Sequence, residues 1–340
     1  RATWGLQHGK FQSKYLFRHI PQSFKATYSI ANIMTAATPL KPLRGVRIVS
    51  LALNLPGPAA FMRLCAMGAT CIKVEPPPPP GFVTSDPMGQ YSKAVYATLH
   101  KGMKIVHADL KTEKGHAILN KELARAQVLL TSFRPSAIER LNLGWKKLHK
   151  AHPHLSQIAI VGASGERAEE PGHDLTYLAE NGLVNGMEMP ATLFADMGGS
   201  LMASEAVLQA LLHQRAKSTP TKTAPGIYME VALSDAAAYL ALPRTWGMTL
   251  PEGSVGGKHA GYKVYPCKDG RVAVAALEPH FAAALCLAAG LGVPGRATLF
   301  ESETHKKIAG FLRKKTCTEL AALATEKDIP LHVMPSTDAH

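Results

Sequence analysis

Leu43-Arg44-Gly45-Val46-Arg47-Ile48-Val49-Ser50-Leu51 is an apolar, β-branched run suited to a parallel strand buried on both faces. It breaks at Asn54-Leu55-Pro56-Gly57-Pro58, where Pro58 suits the first position of a helix and Gly57 permits close backbone approach. A helix over residues 59–67 then leads through Gly68 into a second strand, Cys71-Ile72-Lys73-Val74-Glu75. The result is a β-α-β unit whose first turn lies at a helix N-terminus, a natural place for an anion. GxGxxG is missing from that turn, so no nicotinamide or flavin site is expected. The proline run 76–80 ends the second strand as a stiff polyproline segment.

The alternation continues downstream. After an irregular stretch, Lys101-Gly102-Met103-Lys104-Ile105-Val106 reads as a basic turn entering a third strand. A helix over 113–126, a strand over 128–131 and a strand over 154–161 follow, with Arg134 placed just after a strand end by Ser132-Phe133-Arg134-Pro135. Open α/β sheets hold ligands at the carboxyl ends of their strands, which makes Lys101, Lys104 and Arg134 candidate phosphate contacts. Taken singly, each also reads as a solvated surface charge.

Loop 162–172 delivers Pro171-Gly172-His173-Asp174-Leu175-Thr176-Tyr177, an imidazole and a carboxylate side by side at the mouth of a helix. Leu193-Phe194-Ala195-Asp196-Met197-Gly198-Gly199 supplies a second carboxylate and two glycines, which suit either approach to a ligand or close helix packing. One His and two Asp at neighbouring helix starts suffice to move a proton on and off carbon. The same residues also suit helix caps and a buried ion pair, and spacing alone does not separate the two readings.

A buried helix runs from Asp196 to about Arg215, and the polar, Pro-containing residues 216–226 read as a linker between domains. Beyond it come a strand over 227–232, a helix over 235–242, a hairpin across Lys268-Asp269-Gly270, an apolar helix opened by Glu278 and Pro279, two further helices and a last strand near 330–333. Residues 335–340 read as a truncation point.

With 340 residues, 46% hydrophobic and 19% charged, the chain has the size for one to three domains and an ordinary globular composition. No apolar run is long enough to cross a bilayer, so no membrane association is expected. The five cysteines are scattered and lack a CxxC pair, pointing to reduced thiols and no metal site. The net charge of +13 is unevenly placed: the first acidic residue is Glu75, and ten Lys and Arg precede it. The rest of the chain is close to balance, so nucleic acid is not an expected partner. Residues 1–40 are basic, aperiodic and free of acid, as in an organellar transit peptide or as non-native sequence ahead of Met34. A cytoplasmic location is expected, or a mitochondrial one if residues 1–33 are a transit peptide.

In order along residues 42–335, these pieces resemble the family III CoA-transferases, most closely the alpha-methylacyl-CoA racemase branch. The resemblance rests on residues 43–58, 101–110, Phe133-Arg134-Pro135 through Leu143-Gly144, Gly172-His173-Asp174-Leu175-Thr176-Tyr177-Leu178, 193–199 and Val274-Ala275-Ala276-Leu277-Glu278-Pro279-His280-Phe281. It implies an α/β fold: a large Rossmann-like, CoA-binding domain over 41–215, the linker 216–226, and a smaller α/β domain over 227–335 that includes the start of a return to the large one. It implies an interlocked homodimer whose active site is shared between subunits. In the racemase branch the catalytic histidine matches His173, the catalytic aspartate Asp196, and a glutamate beside the site Glu278. In the transferase branch the acyl-accepting aspartate falls at Asp174. The substrate is then an acyl thioester of coenzyme A, with Lys101, Lys104 and Arg134 for its phosphates, the Pro56-Gly57 turn for its adenine, and Tyr177 beside it. The resemblance implies racemisation at the alpha carbon, with CoA transfer through an aspartyl anhydride and an aspartyl-CoA thioester as the alternative. A non-catalytic CoA-binding homologue is the third reading. Departures from the racemase pattern are Asn54-Leu55-Pro56, the proline run, Glu180 and Gly256-Gly257-Lys258-His259, which puts acyl preference in doubt.

Overall fold

The structure is a computed structural model and describes residues 40–336. The amino-terminal arm therefore lies outside the described residues, apart from Leu40, as do residues 337–340. Chain order is β1 (Arg47–Ser50), α1 (Pro56–Ala66), β2 (Thr70–Glu75), α2 (Pro87–Tyr91), α3 (Lys93–Leu99), β3 (Lys104–His107), α4 (Glu113–Leu123), β4 (Val128–Thr131), α5 (Pro135–Arg140), α6 (Trp145–Ala151) and β5 (Ser156–Val161). Then follow α7 (Asp174–Glu180), α8 (Phe194–Lys217), β6 (Tyr228–Ala232), α9 (Leu233–Leu240), α10 (Leu242–Thr245), β7 (Tyr262–Cys267), β8 (Gly270–Ala275), α11 (Pro279–Ala288), α12 (Ser302–Arg313), α13 (Cys317–Lys327) and β9 (Leu331–Pro335).

The first six strands form one parallel sheet in the order β3-β2-β1-β4-β5-β6. Alternate residues of its central strands feed opposite faces: Ile48, Val128 and Leu130 pack with Phe61, Leu64, Ala203 and Val207, under α1 and α8. Val49 and Leu129 face the other way, against Leu119, Leu123 and Leu148. Helices on both faces explain why these strands are continuously apolar rather than alternating. The remaining strands make a separate antiparallel sheet, β7-β8-β9, with its own core of Tyr265, Val272, Leu285, Ile308 and Leu320.

Three sequence-based expectations change. Helix α1 starts two residues earlier than its Pro-Gly-Pro pattern suggests, with Pro56 rather than Pro58 at its first position. The irregular stretch before β3 holds two short helices, α2 and α3, whose side-chain caps Asp86 and Ser92 accept from Met88 N and Val95 N. Residues 216–226 do not separate two sheets. They fold through a Thr219–Lys222 bridge, Gln214 Nε2 donates to Ala224 O at 3.2 Å, and β6 then pairs with β5 in the large sheet. Polar and proline residues mark a turn, and whether the next strand returns to the same sheet is a long-range matter.

Candidate active site

The order 3-2-1-4-5-6 reverses between β1 and β4, and a crevice opens where the chains leaving those two strands diverge. A cleft of about 280 Å³ lies there, walled by Leu53, Asn54 and Pro56 after β1, Ser132 to Arg134 after β4, and Val161 and Gly162 after β5. His173, Tyr177 and Asp196 complete it. The sheet thus brings together residues up to 180 positions apart (Leu53 and Leu233), because parallel strands deliver their loops to one edge.

Each reacting group is held by its local structure. His173 is the residue before α7, with extended backbone, and the Thr176 hydroxyl accepts from His173 N at 3.1 Å and donates to His173 O at 2.7 Å. This clamps the backbone and leaves the exposed imidazole facing the cleft. Asp174 is buried at the start of α7, and its Oδ1 accepts from Asp196 N at 2.9 Å. One carboxylate thereby fixes the start of α8, and with it the other. Loop 162–172 is tied to α7 by Arg167, which bonds Glu180 at 2.7 Å and Glu170 at 2.9 Å. Glu180, a departure from the racemase pattern, is thus an anchor for the loop that delivers His173. The buried Tyr177 ring fills the space beside Gly162 and Gly172, where an added Cβ would meet its hydroxyl at 2.2 and 2.5 Å.

Burial pushes the Asp196 carboxyl up from its usual range to about 6, with the Asp174 charge adding to the rise and His173 opposing it. A carboxyl poised near neutrality can both take and give a proton in the physiological range. A raised carboxylate pKa destabilises the fold as pH rises: the group is indifferent below its unfolded pKa, and the penalty is complete above about 6. Asp196→Asn is therefore expected to raise stability at pH 8 by roughly 1–2 kcal/mol, discounted for its partial exposure, and by almost nothing at pH 4. Urea unfolding at the two pH values checks this, and equal gains at both would refute it.

Other candidates fall elsewhere. Arg134 lines the cleft as expected, and so does Pro56. Lys101 and Lys104 do not line it: they enter β3 at its amino end, the opposite end from the crevice, and Lys104 Nζ pairs with Glu122 at 3.0 Å. The sequence already placed this basic turn ahead of its strand, at the end away from the crevice. Gly57 serves packing, since an added Cβ would come 2.2 Å from Ala52 Cβ. Gly198 and Gly199 likewise face Leu240 and Leu233 rather than the cleft. Glu278 is exposed at the start of α11, beside the antiparallel sheet, and does not line this cleft. His259 is a buried core histidine accepting from Gly261 N at 3.0 Å, and Lys258 pairs with Glu252 at 2.6 Å. Burial pushes the His259 pKa down, with His305 adding to the fall.

Two further features escaped the sequence reading, one in the cleft wall and one in the antiparallel-sheet unit. Asn54 has φ of 63°, the left-handed region, a hint available in an Asn ahead of a proline. Cys267, Asp269 and Cys317 come within 4.8 Å of one another despite lacking metal-type spacing. They already bond among themselves, with Cys317 N donating to Asp269 Oδ1 at 2.7 Å and the two sulfurs 3.5 Å apart.

The description of CoA-transferase family III matches residues 43–339. The chain is 31% identical over 299 residues to the alpha-methylacyl-CoA racemase of Mus musculus, covering 82% of this chain and 73% of that one. It is 28% identical over 326 residues to the succinyl-CoA–D-citramalate CoA-transferase of Chloroflexus aurantiacus, covering 87% and 79%. Among solved structures, Rv3272 of Mycobacterium tuberculosis superposes with a TM-score of 0.72 at 25% identity, covering 87% of this chain and 83% of that one. The family match spans most of the chain, and this chain belongs to CoA-transferase family III.

Proposed function

We propose that the protein is an acyl-CoA racemase or epimerase acting on a 2-methylacyl-CoA thioester. The observation that carries this is the pairing of the exposed His173 imidazole with an Asp196 carboxyl raised to about 6, on one cleft at the strand ends. The thioester carbonyl acidifies the neighbouring C–H, and inversion needs one base on each face of the planar enolate. His173 removes the proton from one face while protonated Asp196 returns one to the other, and the roles exchange for the opposite enantiomer. Arg134 at the mouth takes a phosphate of CoA, with Pro56 beside the adenine and Tyr177 supporting the loop.

The site is completed by a second copy of the chain, whose Glu278 joins the His173 network. Exposed apolar side chains on and between α8, α9 and the loop after α10, including Phe194, Met197, Leu201, Tyr239, Leu240 and Trp246, support a covered face there. Of residues 227–335, the part built on the β7-β8-β9 sheet forms the smaller domain in this reading. No helix among the described residues is long and apolar enough to cross a membrane.

CoA transfer is the second reading, favoured by transferase relatives that cover 87% and 74% of this chain, against 82% for the racemase. It would use Asp174 as the nucleophile. Against it, Asp174 is buried and its Oδ1 is engaged by the Asp196 amide, which suits a positioning group better than an attacking one. The deciding experiment follows the alpha proton of a 2-methylacyl-CoA in heavy water. Deuterium uptake with loss of optical purity is expected. No uptake, with an acyl-enzyme that hydroxylamine traps and Asp174→Asn abolishes, would establish the transferase instead.

A further inference from the structure

Behind the cleft lies a buried charged cluster that the proposed chemistry does not use. Lys73 of β2 is 1% exposed in its side chain, and the carboxylates of Glu75 and Asp86 are fully buried. The Lys73 ammonium bonds Asp86, lies 3.5 Å from Glu75 Oε2, and donates to His100 Nε2 at 2.9 Å. His100 then carries its proton on Nδ1 and donates it to Tyr96 O at 2.7 Å. Burial, then the Lys73 charge, pushes the His100 pKa down and keeps the ring neutral. Glu75 accepts from the Thr84 hydroxyl at 2.7 Å and the Tyr96 hydroxyl at 3.2 Å. The Lys73 ammonium thus has two hydrogen-bond acceptors, Asp86 and His100, and a second carboxylate, Glu75, at ion-pair distance, as a dry ammonium requires.

One member of the cluster reaches out of it. Asp86 Oδ1 accepts from Met88 N at 2.9 Å, capping α2, and from Asn54 N at 3.2 Å. Asn54 is the left-handed residue in the wall of the cleft, and the preceding amide, Leu53 N, is bonded to Ser132 Oγ at 3.0 Å. Asn tolerates that conformation better than most residues, and neighbouring contacts fix it in place. Here the contact to the Asn54 amide comes from a carboxylate that is itself held by a lysine on the adjacent strand.

We propose that Asp86, anchored by Lys73, is a positioning residue that fixes the Leu53-Asn54-Leu55-Pro56 turn in the shape that receives the CoA part of the substrate. The ligand class rests on the acyl-CoA reading above; the positioning of the turn does not. A preformed wall spares the ligand the ordering of a loop, so loss of the restraint appears in binding more than in turnover.

The test compares Asp86→Ala with Tyr96→Phe, which removes a bond inside the same cluster without touching Asn54. Asp86→Ala is expected to weaken CoA binding in calorimetry about ten-fold and raise KM alike, with kcat changed less than three-fold. Hydrogen exchange should quicken in the peptide covering residues 51–57. Tyr96→Phe should leave both readings at wild-type values, whatever it does to the melting temperature. Unchanged exchange in Asp86→Ala, or equal loss of affinity in both variants, overturns the proposal and leaves the cluster purely structural. If Asp86→Ala does not fold, Asp86→Asn, which keeps an acceptor but not the charge, is read in its place with a smaller shift expected in the same two measurements. A wild type that binds no CoA sinks the acyl-CoA reading, and exchange over residues 51–57 then decides the positioning by itself.

Discussion

His173→Ala is expected to reduce racemisation of a 2-methylacyl-CoA about 1,000-fold, the order of effect of removing one positioned general base. Asp196→Asn is expected to do the same. Isotope exchange separates the two variants. With His173 gone, Asp196 can still remove and return the proton on its own face, so one enantiomer continues to exchange in heavy water without inverting. With Asp196 gone, the other enantiomer does so. The physical basis is the placement of the two groups: His173 hangs from the loop after β5, and Asp196 stands on the first turn of α8, held by the Asp174 bond to its amide. Chiral separation of the recovered thioesters, with deuterium content by mass spectrometry, gives the answer. Loss of exchange from both enantiomers in both variants would exclude the two-base mechanism. The pH profiles carry the same signature. Proton removal by Asp196 should rise as pH passes about 6, and proton donation by it should fall through the same value.

Lys73→Met is expected to destabilise the fold by about 3–5 kcal/mol, the usual consequence of removing one partner from a buried charge cluster. The loss comes less from the missing attraction than from what remains. Glu75 and Asp86 are left buried without the ammonium, and beyond it only the half-exposed His107 ring, 3.9 Å from Glu75 Oε1, can offer a counter-charge. Glu75 keeps the Thr84 and Tyr96 hydroxyls, so it is the better tolerated of the two, while Asp86 keeps only backbone donors. Adding Asp86→Asn to Lys73→Met should therefore recover part of the loss, and urea midpoints at constant slope would measure it. A single variant within 1 kcal/mol of wild type would show that water or protonation relieves the site, contrary to its burial.

Much of the architecture was legible locally. The β-branched run at 46–51, the helix beyond Pro56 and the strand at 71–75 declare a parallel α/β unit, because a strand buried on both faces cannot show alternation. His173, Asp174 and Asp196 stood out by residue type beside helix starts, and they do meet on one cleft or at its edge. Arg134 was legible for a related reason: it follows β4 directly, and the end at which a strand's successor sits is a property of chain direction. The same rule, applied with the wrong end in mind, put Lys101 and Lys104 in the phosphate set. Lys101 precedes β3 and Lys104 is its first residue.

What sequence determined, then, was the succession of the main strands and long helices and the residues able to carry chemistry, since these follow from periodicity and side-chain type over a few positions; the short helices α2 and α3 escaped it. What only the tertiary structure decided was adjacency. The return of β6 to the large sheet, the use of Gly57 for packing against Ala52, and the reach of Asp86 from its buried lysine to the Asn54 amide depend on contacts between distant parts of the chain. A residue's own sequence neighbours do not encode which foreign atoms will lie 3 Å away. Burial, and with it the rise of the Asp196 carboxyl toward neutrality, is likewise a property of the packed assembly of strands and helices.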